Sequence, residues 1–124
     1  MQFCGIQPAA TSEVAEIKNG IAQISVRELK RRIDADEDPY LLDVREPFEY
    51  KIVNLGGQLI PQNDVPNRLA EIDRNREIIV QCKVGRRSQR IAEILKQSGY
   101  ERVINLAGGI IVWATEIDPA MKKY

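Results

Sequence analysis

At 124 residues, with 44% hydrophobic and 29% charged residues, the chain has the size and composition of one globular domain. Its 18 basic and 18 acidic residues give a formal net charge of zero, which removes any global electrostatic reason to expect a nucleic acid or a membrane surface as partner. The sequence contains no histidine, so catalysis by serine or cysteine paired with an imidazole is excluded, and two cysteines leave few ligands for zinc.

The first residues of the chain lack the charged and apolar regions of a signal peptide. No apolar run approaches the roughly 20 residues that a membrane span needs. Two cysteines are also too few for the disulfide framework of a small secreted domain. We therefore expect a cytoplasmic protein without a membrane partner.

Residues 1–22 contain mainly small and polar side chains, and they are predicted to form a linker or a disordered tail. A single α/β domain is predicted over residues 23–118, followed by a C-terminal tail at 119–124. The first helix is predicted to begin after Ser25 and to run to about residue 35, because Ser25 and Glu28 have the spacing of a capping box.

Short apolar runs alternate with segments of helical periodicity along the rest of the domain. Strands are predicted at residues 40–44, 58–60, 77–81 and 102–105. Further helices are predicted from residue 46, over part of 63–72, from the loop after Cys82 to Ser98-Gly99, and over 110–115. This alternation favours a mainly parallel sheet with helices on both faces.

One strand delivers a cysteine, Cys82, to its carboxyl end, and a glycine-containing loop then leads directly into a helix. The N–H groups of such a loop can surround an anion, and the helix N-terminus adds a positive dipole end. Lys83, Arg86 and Arg87 place three cations within five residues of the sulfur. Cations oppose a helix dipole at this end unless an anion is present, so Cys82 is predicted to be a thiolate at neutral pH.

Gly85 is expected to allow the backbone conformation, or the close approach, that such a loop needs. Two structural interpretations remain beside the chemical one. A cysteine at a strand end is often a small buried apolar residue, and the three cations can be a solvated helix start. The basic loop between strand and helix favours the chemical interpretation.

Three blocks, spread over about residues 24–113, resemble the rhodanese family. Residues 82–88 (Cys-Lys-Val-Gly-Arg-Arg-Ser) are similar to its active-site loop, Cys-x-x-Gly-x-Arg-Ser. Residues 43–50 resemble its Asp-Val-Arg-x-x-x-Glu-Tyr block, and residues 105–113 its closing Leu-x-Gly-Gly-x-x-x-Trp block. Residues 54–57, Asn-Leu-Gly-Gly, depart from the His-Ile-Pro-Gly of many members, and altered packing of that loop with intact chemistry is expected.

The resemblance implies a rhodanese-like α/β fold with a five-stranded, mainly parallel sheet and helices on both faces. It implies a sulfurtransferase in which Cys82 accepts a sulfane sulfur as a persulfide and passes the outer sulfur to a nucleophilic acceptor, without a metal or cofactor. The substrate-binding residues it implies are Lys83, Val84, Gly85, Arg86, Arg87 and Ser88. Lys83 and Arg86 are expected to face the donor, thiosulfate or a cysteine desulfurase persulfide, while Arg87 stabilises the loop.

Charged and aromatic residues of the other two blocks are given structural roles. Asp43 and Arg45 are expected to support the site as a pair or cap below the carboxyl end of the sheet. Glu46 and Glu49 are expected to be first-turn acids favoured by the helix dipole. Trp113 is expected to anchor the last helix in the core.

Residues 2–6, Gln-Phe-Cys-Gly-Ile, resemble the segment that joins an adenylyltransferase domain to a C-terminal rhodanese domain in fused sulfur-transfer enzymes. On this resemblance the chain is a fragment, and its partners include the fused adenylyltransferase domain and a ubiquitin-like sulfur carrier that receives the sulfur at its C-terminus. Molybdenum cofactor biosynthesis, thiamine synthesis and tRNA thiolation all fit such a fusion. Cys4 is expected to be a passive thiol, with a resolving cysteine or a disulfide as alternatives.

Two other functions are weighed against sulfur transfer. Some dual-specificity phosphatases share the fold but use Cys-x5-Arg, whereas Cys82 and Arg87 have Cys-x4-Arg spacing, which forms a smaller ring better suited to a sulfur atom than to phosphate. A rhodanese fold can also be a non-enzymatic docking module. Members of that kind generally lack the loop cysteine, which this chain retains.

Overall fold

The structure, a computed structural model, describes residues 16–124. Residues 1–15, with Cys4 and most of the predicted linker, lie outside the described residues. The strands are β1 Glu16–Lys18, β2 Ile21–Ile24, β3 Tyr40–Asp43, β4 Gln58–Leu59, β5 Ile78–Gln81 and β6 Val103–Leu106. The α-helices are α1 Val26–Asp34, α2 Pro47–Ile52, α3 Arg86–Gln97 and α4 Gly109–Glu116, and short 3₁₀ helices cover Gln62–Asn67 and Leu69–Glu71.

The described strands form one sheet of six strands in the order β1-β2-β6-β5-β3-β4. Strands β2, β6, β5, β3 and β4 are parallel to their neighbours, which confirms the mainly parallel sheet, but β1 pairs antiparallel with β2. The prediction of five strands is therefore wrong by one edge strand. The predicted linker also extends too far, because β1 and the start of β2 lie within residues 1–22.

The additional strand is the first arm of a hairpin. Asn19 and Gly20 both have positive φ, 48° and 79°, between the paired residues Lys18 and Ile21. Two consecutive positive φ values match the twist of a two-residue hairpin, and Asn-Gly is the sequence that adopts them most readily. The hairpin covers what would otherwise be the free edge of β2.

Alternating side chains of the central strand β5 fill two cores. Ile78 and Val80 pack on one face of the sheet with the inner side of α3, and Ile79 packs on the other face with α1 and α4. Trp113 of α4 belongs to this second core and is 7% exposed, as expected for an anchor. Helices therefore cover both faces. No helix among residues 16–124 is both long and apolar enough to cross a membrane.

Helix α1 begins as predicted but with half of the capping box. The Ser25 hydroxyl accepts a hydrogen bond of 3.0 Å from the Glu28 N–H, which satisfies one free donor of the first turn. The Glu28 carboxylate does not return this bond. It forms ion pairs with Arg31 and Arg32 at 2.7 and 3.0 Å, because both guanidinium groups lie one turn further along the helix.

The parallel strands bring the residues of interest to one edge of the sheet. In the ladder, Asp43 of β3 lies opposite Gln81 of β5, and Asn105 of β6 lies opposite Val80. The residues that follow β3, β5 and β6 therefore emerge side by side at the carboxyl edge. Cys82 is in the middle of this edge, where ligands bind in open α/β sheets.

Candidate active site

Cys82 follows β5 directly and is fully buried, on the face of the sheet that carries α3. Its Sγ atom accepts hydrogen bonds from the backbone N–H of Gly85 at 3.1 Å and of Ser88 at 3.4 Å. The Ser88 hydroxyl lies 3.3 Å from the same atom. Backbone donors from the loop and from the first turn of α3 thus converge on the sulfur, as the anion-binding arrangement requires.

Residues 82–88, called here the cysteine loop, need glycine at position 85. Gly85 has a φ of 99°, which a residue with a side chain rarely adopts, and a Cβ at this position would lie 3.3 Å from the Gly108 nitrogen. Both parts of the sequence-based expectation, an unusual conformation and a close approach, apply. Because Gly85 also precedes the first residue of α3, its conformation turns the chain into the helix directly below the sulfur.

The first turn of α4 also holds the cysteine loop in place. The N–H groups of Ile110 and Ile111 donate to the carbonyl oxygens of Cys82 and Lys83 at 3.0 and 3.1 Å. Gly109 lies so close that a Cβ there would be 2.6 Å from the Cys82 carbonyl oxygen. These contacts fix the loop carbonyls on the side of α4.

Asn105 is part of the site although its role is not predicted from the sequence. Its Oδ1 accepts a hydrogen bond of 2.6 Å from the Ser88 hydroxyl, and its Nδ2 donates to the Gly85 carbonyl at 3.2 Å and to Gln23 Oε1 at 2.9 Å. Asn105 therefore ties the middle and the last residue of the cysteine loop to β6 and, through Gln23, to β2. The sequence signal that points to Asn105 is a single amide side chain in an otherwise apolar strand, since the strand is fully buried and a buried amide needs hydrogen-bond partners.

Arg87 is joined to Glu49 of α2 by a bidentate ion pair with N···O distances of 2.8 and 2.9 Å. The Arg87 guanidinium, despite some desolvation, and the hydrogen bond from the Glu46 N–H lower the pKa of Glu49 to about 2. Glu49 does lie in the first turn of α2, as predicted, but the ion pair is not predicted. The charge of Arg87 is therefore compensated within the protein, which agrees with a stabilising position.

Asp43 and Arg45 form a second ion pair, and both side chains are fully buried. The Arg45 guanidinium donates to the two carboxylate oxygens of Asp43 at 2.7–3.2 Å and to the Val53 carbonyl at 2.9 Å. Burial alone lowers the pKa of Arg45, and the hydrogen bonds to Asp43 and Tyr124 outweigh it, so the net shift is upward. Asp43 is the last residue of β3, so the pair lies at the carboxyl end of that strand.

Lys83 and Arg86 have no ion-pair partner among residues 16–124. Arg86 is exposed, and Lys83 is half-buried with its Nζ 4.4 Å from the centroid of the Tyr124 ring. Val84 between them is 50% exposed and touches solvent at the outer side of the cysteine loop. The loop thus carries two cations that no carboxylate of the described residues compensates.

The loop at 54–57 packs without the residues of the commoner family pattern. Asn54 accepts a hydrogen bond of 2.8 Å from the Gly56 N–H and donates one to the Tyr50 carbonyl at 3.1 Å. Gly57 lies so close to Leu41 that a Cβ would be 2.8 Å from the leucine Cβ. The described part of the chain contains no cluster of three or more Cys, Asp or Glu side chains that could hold a metal ion.

The Glu49–Arg87 pair predicts a loss of stability in acid. Between pH 4.5 and about 2 the unfolded chain binds a proton at Glu49 that the folded protein excludes, so unfolding is favoured as the pH falls through this range. A Glu49→Gln variant should be less stable than wild type at pH 7 by about 1–3 kcal/mol, and this difference should shrink towards pH 2. Urea unfolding at about pH 7, 4.5 and 3 measures it. A difference that does not depend on pH would contradict the assignment.

Comparison with known proteins identifies the family of the chain. The model of the family described as "Rhodanese-like domain" matches residues 25–116. A Mycobacterium tuberculosis protein named "Probable adenylyltransferase/sulfurtransferase MoeZ" is 34% identical over 99% of this chain, which spans 31% of that protein's length. A protein of Allochromatium vinosum named "Sulfurtransferase" is 37% identical, over 76% of this chain and 89% of its own length.

Solved structures give the same result. The crystal structure of SSP1007 from Staphylococcus saprophyticus has a TM-score of 0.70 and 30% sequence identity, and the similarity covers 77% of this chain and 95% of that one. The fold, the family match and the relatives of similar length all agree. The chain belongs to the family of rhodanese-like domains.

Proposed function

We propose that this chain is a sulfurtransferase that accepts a sulfane sulfur on Cys82 as a persulfide and passes the outer sulfur to a nucleophilic acceptor. The observation that carries the proposal is the environment of Sγ. It receives two backbone hydrogen bonds, from Gly85 and Ser88, in a loop whose cations Lys83 and Arg86 have no carboxylate partner among residues 16–124. This environment favours a negative sulfur and an anionic donor.

Sulfur transfer in this site takes two displacement steps. The Cys82 thiolate attacks the sulfane sulfur of the donor. A new S–S bond forms, and the bond to the rest of the donor breaks, with its electron pair leaving as sulfite from thiosulfate or as a thiolate from a protein persulfide. An acceptor nucleophile then attacks the outer sulfur and releases Cys82 as a thiolate. With a nucleophilic acceptor such as cyanide, the two steps balance without an external oxidant or reductant.

The residues around Cys82 have separable roles in these steps. The N–H groups of Gly85 and Ser88 stabilise the thiolate that starts the first step and is released in the second. Lys83 and Arg86 bind the anionic donor, next to Val84 at the loop surface. Arg87, held by Glu49, fixes the first turn of α3 below the sulfur. Asp43 and Arg45 support the site from below the sheet edge.

For a protein acceptor, we propose the C-terminus of a ubiquitin-like sulfur carrier that is activated as an acyl adenylate by an adenylyltransferase domain fused to this one. With this acceptor the outer sulfur of the persulfide is the nucleophile: it attacks the carboxyl carbon and AMP leaves. A thiol reductant then cleaves the resulting acyl disulfide, which releases the thiocarboxylate and the Cys82 thiolate. The mycobacterial relative is named as an adenylyltransferase and sulfurtransferase, and its match extends over 99% of this chain, beyond residues 25–116 of the family model. This assignment places the protein in the cytoplasm, in molybdenum cofactor biosynthesis or a related thiolation route. The donor is a cysteine desulfurase persulfide, with thiosulfate as a small substitute.

The test is to incubate the protein with thiosulfate and, separately, with a cysteine desulfurase and cysteine. Wild type should gain ~32 Da, reversible by reductant, and release thiocyanate with cyanide, as a persulfide does. The Cys82→Ser variant should gain no mass. Absence of the adduct with both donors, in a folded protein with reduced Cys82, would leave the docking module as the better interpretation.

A further inference from the structure

We propose that Tyr124 is a positioning residue for the cations of this site. Its ring holds the Lys83 ammonium next to the cysteine loop, and its hydroxyl joins the ion pair Asp43–Arg45 to the ion pair Glu49–Arg87. The inference rests on the proposed function only in that it concerns the binding of an anionic sulfur donor. Tyr124 lies in the segment 119–124, predicted as a C-terminal tail, but its side chain is packed against the site.

The hydroxyl of Tyr124 has a single possible arrangement of its hydrogen bonds. It lies 2.8 Å from Arg45 Nη1 and 2.8 Å from Glu49 Oε2. A guanidinium can only donate and an ionised carboxylate can only accept, so the hydroxyl accepts from Arg45 and donates to Glu49. The pair Asp43–Arg45 is thereby connected to the pair Glu49–Arg87 through one neutral group.

The ring of Tyr124 has a different function from the hydroxyl. The Lys83 Nζ lies 4.4 Å from the ring centroid, within the range of about 6 Å in which an ammonium is attracted to an aromatic face. Lys83 has no carboxylate partner among the described residues. A carboxylate in place of the ring would also hold the lysine but would cancel its charge. The aromatic face fixes the position of the ammonium and leaves the charge available to a bound anion.

The contacts of Tyr124 separate its effect from the chemistry at sulfur. Within residues 16–124, the hydrogen bonds to Sγ come from Gly85 and Ser88, and neither residue has a hydrogen bond with Tyr124. Loss of the ring should therefore free Lys83 and weaken the binding of an anion. The attack by the sulfur on a bound donor should change little.

The experiment compares Tyr124→Phe, which keeps the ring, with Tyr124→Leu, which removes it. In the thiosulfate reaction the Leu variant should show a KM raised about 2- to 10-fold with kcat within about twofold of wild type. The Phe variant should keep most of the wild-type KM. Equal KM increases in both variants, or a loss in kcat alone, would overturn the proposal.

A second measurement does not depend on sulfur transfer. Cys82 is alkylated with iodoacetate, an anion, and with iodoacetamide, which is neutral, and the rates are read from the mass of the peptide that contains Cys82. The ratio of the iodoacetate rate to the iodoacetamide rate should fall in Tyr124→Leu and be retained in Tyr124→Phe. A ratio unchanged in Tyr124→Leu would reject the inference even if wild type loads sulfur. A wild type that fails to load sulfur would reject the proposed function alone.

The matched control places the same change in a protein without the lysine. In a Lys83→Met background, Tyr124→Leu should change neither the KM nor the alkylation ratio further, because the cation that the ring holds is gone. An equally large additional effect would mean that Tyr124 acts without Lys83, against the proposal. If Tyr124→Leu does not fold, Tyr124→Gln removes the ring with a polar side chain and is compared in the same way.

Discussion

A Gly109→Ala variant is expected to lose about a hundredfold in the rate of sulfur acceptance while remaining folded. A Cβ at position 109 would overlap the Lys83 carbonyl and lie 2.6 Å from the Cys82 carbonyl oxygen, and the φ of 65° is itself unfavourable for alanine. Since both contacts are to backbone atoms, the cysteine loop must move. A displacement of about 1 Å at a reacting group can cost two orders of magnitude in rate.

Gly20→Ala is the matched control for this prediction. Gly20 also has a positive φ, 79°, but a Cβ there would meet no atom within 4 Å. Its substitution should cost about 1 kcal/mol of stability and leave sulfur acceptance unchanged. Persulfide formation, followed by mass spectrometry over time, measures both variants. Similar rates for the two variants would show that the approach of Gly109 does not set the geometry of the loop.

The alternation of strands and helices could be predicted because each element carries its own pattern. Residues 78–80, Ile-Ile-Val, form an uninterrupted apolar run in β5, and α3 shows its buried face through Ile91, Ala92 and Leu95. Strand β1 is different, since all three of its residues are exposed. Its composition is that of a linker. The predictive feature is the Asn19-Gly20 pair, which specifies a hairpin turn more strongly than the strands on either side specify themselves.

The site divides in the same way between local and distant contacts. Cys82, Gly85 and Ser88 lie within one loop, so their spacing predicts that the loop N–H groups surround the Cys82 sulfur. Asn105 reaches Ser88 across 17 residues of chain, and Glu49 reaches Arg87 across 38. Those contacts depend on which strands are neighbours in the sheet.

The three cations of the loop illustrate the limit of spacing. Lys83, Arg86 and Arg87 are equivalent in the sequence as positive charges near Cys82. In the structure, Arg87 is neutralised by Glu49 and Lys83 lies against an aromatic ring. The resemblance to the rhodanese family already assigns Arg87 to the loop and the other two cations to the donor. The packing of α2 and of the chain after α4 supplies the physical reason, because it decides which side chain meets a carboxylate. A mutation of Arg87 should therefore act on stability as well as on donor binding.

An Arg45→Met variant should be less stable than wild type by about 3–5 kcal/mol, because the substitution leaves the fully buried carboxylate of Asp43 without its partner. The Val53 carbonyl and the Tyr124 hydroxyl lose a donor at the same time. Urea unfolding at neutral pH measures the loss. Retention of wild-type stability would show that the buried pair contributes nothing to folding.

The double variant Asp43→Leu/Arg45→Met separates the effect of the unpaired Asp43 carboxylate from the effect of the hydrogen bonds that Arg45 makes to Val53 and Tyr124. It removes both buried charges, and replacement of a whole ion pair by apolar side chains is often tolerated. The double variant should therefore recover part of the stability that Arg45→Met loses. If the double variant is as unstable as the single one, the loss comes from the hydrogen bonds of Arg45 to Val53 and Tyr124. In that case the pair acts mainly by connecting α2 and the chain after α4 to the edge of the sheet that carries Cys82.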